Sequence, residues 1–476
     1  MLFSSMIFLW CFLPIVLIVN YIISFVLPAD ANKRVRLKNS WLLLASIIFY
    51  AWGGVNYLLI MFFCIVVNYV SGKLIAIEKY KPKTILVITI IINLLVLFVF
   101  KYSNMVAGMF KVEDWTEIVL PIGISFYTFQ ALSYVIDVYR DRSKVQNNIF
   151  DFALYVSLFP QLIAGPIVKY SDISAQIAGR EENVDMFYEG QRRFCYGLGK
   201  KVLIANVCAQ IADEIWAADI ANMGAAIAWL GMIAYTLQIY YDFSGYSDMA
   251  IGIGRMLGFN LKENFNYPYI ATSIQDFWRR WHISLSGWFR DYVYIPLGGN
   301  RKGIARTCIN LFIVFLLTGI WHGAGFTFML WGVLYAVVLI IERIWLGERL
   351  KANPVKVVNY IYTMLIVMIA WIFFRSDSIS QAGTYICSLV KSRNTYLTVE
   401  SYLSMTRILA LVAGIVFMGP VQKLWNALCN KKSFMANDKN KAIFATADMI
   451  VSILVLVFAV MMLISGTYNP FIYFRF

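Results

Sequence analysis

Long apolar runs separated by short clusters of charge dominate this chain. The clearest occupy residues 2–28, 84–99, 225–240, 309–321, 326–341, 357–374, 408–417 and 443–464. Crossing a hydrocarbon core of about 30 Å takes about 20 mostly apolar residues, and the pattern accommodates roughly eleven to thirteen membrane segments. Backbone polar groups find no water inside lipid, so each crossing is predicted to be helical. The expected fold class is an all-α polytopic membrane protein. The first run lacks a preceding basic region and a small-residue cleavage site and exceeds a signal peptide's core, so it reads as a retained span.

Charge between the runs predicts orientation. Lys33, Arg34, Arg36 and Lys38 follow the first run, which places that loop in the cytoplasm and residue 1 outside. Two shorter runs, 41–50 and 57–70, lead to Lys73, Lys79, Lys81 and Lys83, as an outward hairpin returning to the cytoplasm would. Glu113, Asp114 and Glu117 mark an outside loop, and Arg140, Arg142 and Lys144 an inside one. Lys431, Lys432, Lys439 and Lys441 precede the last run, so residue 476 is also expected outside.

Composition agrees with a bilayer environment. Of 476 residues, 60% are hydrophobic and 14% charged, with mean hydropathy +0.68, which excludes an ordinary soluble globule. The net charge of +14 fits cytoplasmic loops meeting anionic membrane lipids, and no basic domain outside the membrane segments points to nucleic acid. Cys11, Cys64, Cys195, Cys208, Cys308, Cys387 and Cys429 form an odd set without a C-x-x-C pair, so they read as packing residues, and no metal site is expected. No fixed-period repeat or low-complexity linker appears, which predicts one integral domain.

Polar residues inside apolar stretches are the candidates for chemistry. Arg192, Arg193, Lys200 and Lys201 precede residues 202–215, which read as an amphipathic cytoplasmic helix flooring the bundle. The stretch 239–259 holds Asp242, Ser244, Ser247, Asp248 and Arg255, which should face a cavity or one another because charge at membrane depth is costly. Asp248 and Arg255 are two helical turns apart and share a side, either as a salt bridge or as a substrate contact. A helix capped by Ser273 is predicted to carry Trp278, His282 and Ser286 on one face, with Arg279, Arg280 and Arg290 beside it. Residues 295–302 then form a turn. This block suits either an anionic cofactor or a lipid headgroup. The chain has two histidines, His282 and His322, each after a tryptophan. His322 precedes Gly323, Ala324 and Gly325, where another helix or a ligand can approach; alone, it reads as a bundle histidine or a catalytic one.

The strings LPIGISFYTFQALSYVIDVYR (120–140), LFPQLIAGPI (158–167), IYYDFSGYSDMAIGIGRMLGF (239–259), FWRRWHISLSGWFRDYVYIPLGGNRKG (277–303), TGIWHGAG (318–325) and AWIFFR (370–375) resemble the membrane-bound O-acyltransferase family. The opening MLFSSMIFLW and closing FIYFRF resemble its bacterial branch that O-acetylates alginate and other polysaccharides. The resemblance spans almost the whole chain. It implies helices ringing a central funnel or tunnel, with re-entrant or amphipathic cytoplasmic helices. It further implies peripheral helices over 1–118, a catalytic core over about 119–375, and C-terminal spans with an aromatic tail over 376–476.

The family's intramembrane histidine matches His322 and its second polar catalytic position matches His282. The activity implied is acetyl transfer from a cytoplasmic donor, acetyl-CoA, with no bound cofactor. The acceptor implied is an extracytoplasmic polysaccharide, reached through a serine-esterase-like acetyltransferase partner at the bacterial cytoplasmic membrane. On that reading His322 takes the proton of the attacking hydroxyl and His282 orients the donor or polarises its carbonyl. Arg279, Arg280, Arg290, Arg301 and Lys302 would meet the donor's phosphates. Gln130, Asp242, Ser244 and Asp248 would line the polar cavity. Tyr473, in FIYFRF, is either an acyl relay or an interfacial anchor. Two other readings stay open: a D-alanyl transfer protein of teichoic-acid modification, and a transporter for a lipid-linked glycan or anionic solute.

Overall fold

Asp30, Pro82 and Gly123 mark where three of the expected helices begin, each for a local reason. Asp30 caps its helix by accepting from the Lys33 amide. Pro82 occupies the first turn, where its missing N–H costs nothing. Gly123 adopts φ +80°, and a Cβ there would meet the Leu162 carbonyl oxygen at 2.5 Å. The computed structural model describes every residue except 27–29, 78–79, 164, 392–397, 422–423, 425–437, 467 and 473–476. Among the described residues the regular structure is helical throughout.

Two compact units are present, one formed by 1–194 with 246–262, the other by 195–245 with 263–476. The first contains α1 (Leu13–Val26), α2 (Ala31–Ala51), α3 (Tyr57–Ala76), α4 (Pro82–Lys101), α5 (Ile124–Arg140) and α6 (Ile149–Ser157). It also holds most of α7 (Val184–Gly199). Several polar groups in its apolar interior are paired. Asn68 and Asn93 exchange amide hydrogen bonds between α3 and α4 at 2.9 and 3.1 Å. Lys38 meets Glu182 at 2.6 Å, and Asn20 donates to the same carboxylate. Asp248 pairs with Arg193 at 2.8 Å and Arg255 with Glu189 at 3.1 Å, so the Asp248–Arg255 bridge that their spacing allows is not formed.

In the second unit the chain leaves α7, widens by one residue per turn over Lys200–Ala205, and continues as α8 (Asn206–Ala217). There follow α9 (Ala225–Met256), whose last residues belong to the first unit, α10 (Ile274–Arg280), α11 (Ile283–Phe289) and α12 (Gly303–His322). The remaining long helices are α13 (Phe326–Ile341), α14 (Lys356–Arg375) and α15 (Asp438–Ser465). Residues 202–215, expected at the membrane surface, are mostly buried, because α8 packs on several sides and leaves only Glu214 of that stretch exposed. The helix expected to run from Ser273 past Ser286 is broken. Ser273 does cap it, accepting from the Asp276 amide, but it ends at Arg280. His282 takes a left-handed conformation, φ 45° and ψ 54°, before α11 starts.

The protein is an all-α polytopic membrane protein. Seven helical stretches among the described residues are long and apolar enough to cross a bilayer: Phe8–Val26, Tyr57–Ala76, Pro82–Lys101, Gly303–His322, Phe326–Ala352, Lys356–Arg375 and Ile443–Ser465. The expected eleven to thirteen counted stretches that are polar-rich, as α9 is, or short, as Met405–Phe417 is. Helices α12 and α13 cross at two glycines: a Cβ on Gly332 would fall on the Phe315 carbonyl and lie 3.1 Å from the Gly319 Cα. Gly332→Leu is therefore expected to destabilise the protein by about 3 kcal/mol, read as a lowered unfolding temperature in detergent. An unchanged transition would contradict this packing.

Candidate active site

His322 is the last residue of α12, and the Gly323–Gly325 turn brings α13 back against it. The imidazole is 5% exposed. The Trp331 ring of α13 stands edge-on to it at 5.0 Å and the Phe374 ring of α14 at 5.2 Å. A cavity of about 10 Å³ touches the imidazole, walled by Phe243, Trp281, Trp371 and Ile472 among others. That is room for about one water.

His282 reaches the same region from the break between α10 and α11. Its ring centroid lies 6.4 Å from that of His322, too far for the rings to bond each other and close enough for one small group to touch both. The left-handed backbone at His282 turns the imidazole inward, where it is fully buried with Phe243 edge-on at 4.6 Å. Its Nδ1 lies 3.1 Å from Asn264 Oδ1. The same oxygen accepts from the Ser284 amide at 3.2 Å and the Ser284 hydroxyl at 2.8 Å. A backbone N–H can only donate, which fixes that Asn264 atom as the acceptor oxygen and assigns the imidazole proton to Nδ1. Nε2 then carries a lone pair, and it has no hydrogen-bond partner among the described residues. Burial pushes the His282 imidazole down to about 3, so it is neutral through the physiological range.

A groove of about 280 Å³ runs beside these residues, with Arg279, Arg290 and Arg343 at its polar parts and Trp278, Phe289 and Phe315 on its apolar wall. Leu311, Val314, Phe315 and Thr318 of α12 line it, and His322 lies one helical turn beyond Thr318 on the same stripe. Trp278 of the groove touches Trp331 of the cavity, with ring centroids 5.7 Å apart. A charged head with an apolar extension fits such a groove.

The other sequence-derived candidates are dispersed. Arg290 is matched by Asp291 at 2.7 Å, and Arg280 by Asp276 at 2.9 Å. Arg301 and Lys302 are exposed on the turn before α12, outside the groove lining. Asp242 is buried on Lys201, and Ser244 is buried in the same helix. Asp248 and the buried Gln130 belong to the first unit. Tyr473 lies outside the described residues. Sequence reasoning missed Asn264, Arg343 and Lys201. Asn264 sits in a loop without periodicity, Arg343 follows an apolar run as any flanking charge does, and Lys201 resembled half of a surface Lys-Lys pair.

Two buried imidazoles thus lie with ring centroids 6.4 Å apart, one of them on a small aromatic cavity, and a groove lined by three arginines follows the helix that ends at His322. The membrane-bound O-acyltransferase family profile matches residues 83–379, and the chain belongs to that family. It is an acyltransferase of the O-acetyltransferase type. It is 44% identical over 394 residues to the probable alginate O-acetylase AlgI of Pseudomonas aeruginosa, covering 80% of this chain and 73% of the relative. Identity to the Pseudomonas putida protein of that name is 39% over 500 residues and the match covers both chains fully. A Helicobacter pylori peptidoglycan O-acetyltransferase is 36% identical over 445 residues, covering 83% of each.

Proposed function

We propose that this protein takes an acetyl group from acetyl-CoA on the cytoplasmic side of the bacterial cytoplasmic membrane and passes it outward for O-acetylation of a cell-surface polysaccharide. The supporting observation is the approach of the buried His322 and neutral His282 rings, centroids 6.4 Å apart, beside a groove of opposite charge to CoA phosphates. Relatives named for alginate and peptidoglycan support a polysaccharide acceptor. Membership of an acyltransferase family sets aside the transport reading.

In the step proposed, the attacking hydroxyl oxygen bonds to the thioester carbonyl carbon while His322 takes its proton. The carbon–sulfur bond then breaks and His322 returns the proton to the CoA thiolate, so no proton is gained or lost overall. His282, with Nε2 as an acceptor, cannot polarise the carbonyl in this tautomer; it orients a hydroxyl by accepting its hydrogen bond. The phenol of Tyr473 is the proposed relay to an extracytoplasmic acetyltransferase of the serine-esterase kind.

Donor identity is tested at the groove. Replacing Arg279 and Arg343 together by glutamate is expected to raise KM for acetyl-CoA about ten-fold or more with kcat little changed. Wild-type kinetics with acetyl-CoA would remove the groove from donor binding, and turnover only with a carrier-protein thioester would favour the D-alanyl reading.

A further inference from the structure

The segment that follows α15, residues 468–472, is held by side chains rather than by helical hydrogen bonding of its own. Tyr468 donates its phenolic hydrogen to Asp213, which also receives Arg375 at 2.5 Å. Asn206 Nδ2 donates to Asn469 Oδ1 at 3.2 Å. Lys201 Nζ donates to the Pro470 carbonyl and lies 2.8 Å from Asp242 Oδ1. The other oxygen of Asp242 accepts the Ile472 amide at 2.9 Å. Residues 213, 206 and 201 therefore meet 468, 469 and 470 in turn, so the segment runs antiparallel to α8 and the wide turn before it.

The ion pair at the end of this ladder is deeply buried, with side chains 1% and 2% exposed. Such a pair contributes little stability beyond an apolar pair of the same size, because both charges lose water. What it provides instead is one donor and one acceptor for the backbone of a non-helical segment inside an apolar interior. The segment arrives where chemistry is proposed: Phe471 is 4% exposed, and Ile472 is a wall of the His322 cavity.

We infer that Lys201 and Asp242 are positioning residues for acyl transfer, a buried pair that straps residues 468–472 to the wide turn before α8 and to α9 and sets Ile472 at the His322 cavity. The catalytic consequence rests on the acyl-transfer reading above; the strap itself does not. By sequence, the segment so held leads directly to Tyr473.

The experiment uses the full-length protein in nanodiscs, with hydrogen exchange of the peptide spanning 468–472 measured beside acetyl-transfer kinetics. In Lys201→Met with Asp242→Leu, which leaves no orphaned charge, exchange at the strap is expected to quicken about ten-fold or more. In the same variant kcat should fall about ten-fold or more while KM for acetyl-CoA stays within about two-fold. Exchange as slow as wild type, or faster exchange with unchanged kcat, would overturn the inference. Should that variant fail to fold, Tyr468→Phe with Asn469→Ala removes two rungs from the strap side, and the same two outcomes decide. His322→Ala, run alongside, should lose transfer with strap exchange at the wild-type rate. If the wild type transfers no acetyl, the acyl-transfer reading fails and the exchange result still judges the strap.

Discussion

Replacing His322 by alanine is expected to lower acetyl transfer about 10³-fold while the dissociation constant for CoA stays near the wild-type value. General acid–base catalysis by one positioned side chain contributes about 10² to 10⁴, and an alcohol attacking a thioester near neutral pH has no other base in the cavity wall described. The imidazole stands at the end of the α12 stripe, past the groove, so its loss should leave donor contacts intact. Steady-state kinetics with equilibrium CoA binding checks both halves. A parallel loss of binding would mean that the substitution disturbs the helix ends rather than the chemistry.

Asn264→Ala is expected to lower kcat about 10²-fold, because the acceptor that holds the His282 proton on Nδ1 disappears and Nε2 is no longer guaranteed its lone pair. Asn264→Asp gives a sharper result. It keeps an oxygen for the imidazole and for Ser284 but adds a negative charge, which favours the protonated imidazole and raises its pKa. The proposed active form is neutral, so activity should be lost as pH falls through the raised value. In wild type burial keeps the His282 imidazole neutral and that limb below the working range. In the variant it should move up into it. A pH–kcat profile identical to wild type would remove Asn264 from control of His282.

The membrane class of the fold was legible because apolar run length answers directly to bilayer thickness. Individual spans were less so. Residues 202–215 look amphipathic in isolation, and only packing on several sides of α8 shows that the helix is interior. Periodicity also carried the predicted helix through His282, since nothing in WRRWHIS marks a left-handed residue; the break follows from tertiary bonds such as the Ile283 amide to the Asn264 carbonyl at 2.9 Å. Both histidines were visible by rarity and by their aromatic, small-residue settings. Their partners were not. Asn264 lies 18 residues from His282, and the strap joins Lys201 to Pro470 across 269. Contacts at such separations leave no local pattern. Asp242 and Asp248, alike in sequence as polar residues of one run, divide between different ion pairs because α9 serves both units.

Acetyl transfer through His322 is read out in a single-turnover experiment in which purified protein in nanodiscs, with the proposed extracytoplasmic acetyltransferase partner, receives acetyl-CoA radiolabelled in the acetyl group. Label is expected on that partner with wild type and none above background with His322→Ala. Equal labelling by the two proteins would contradict this.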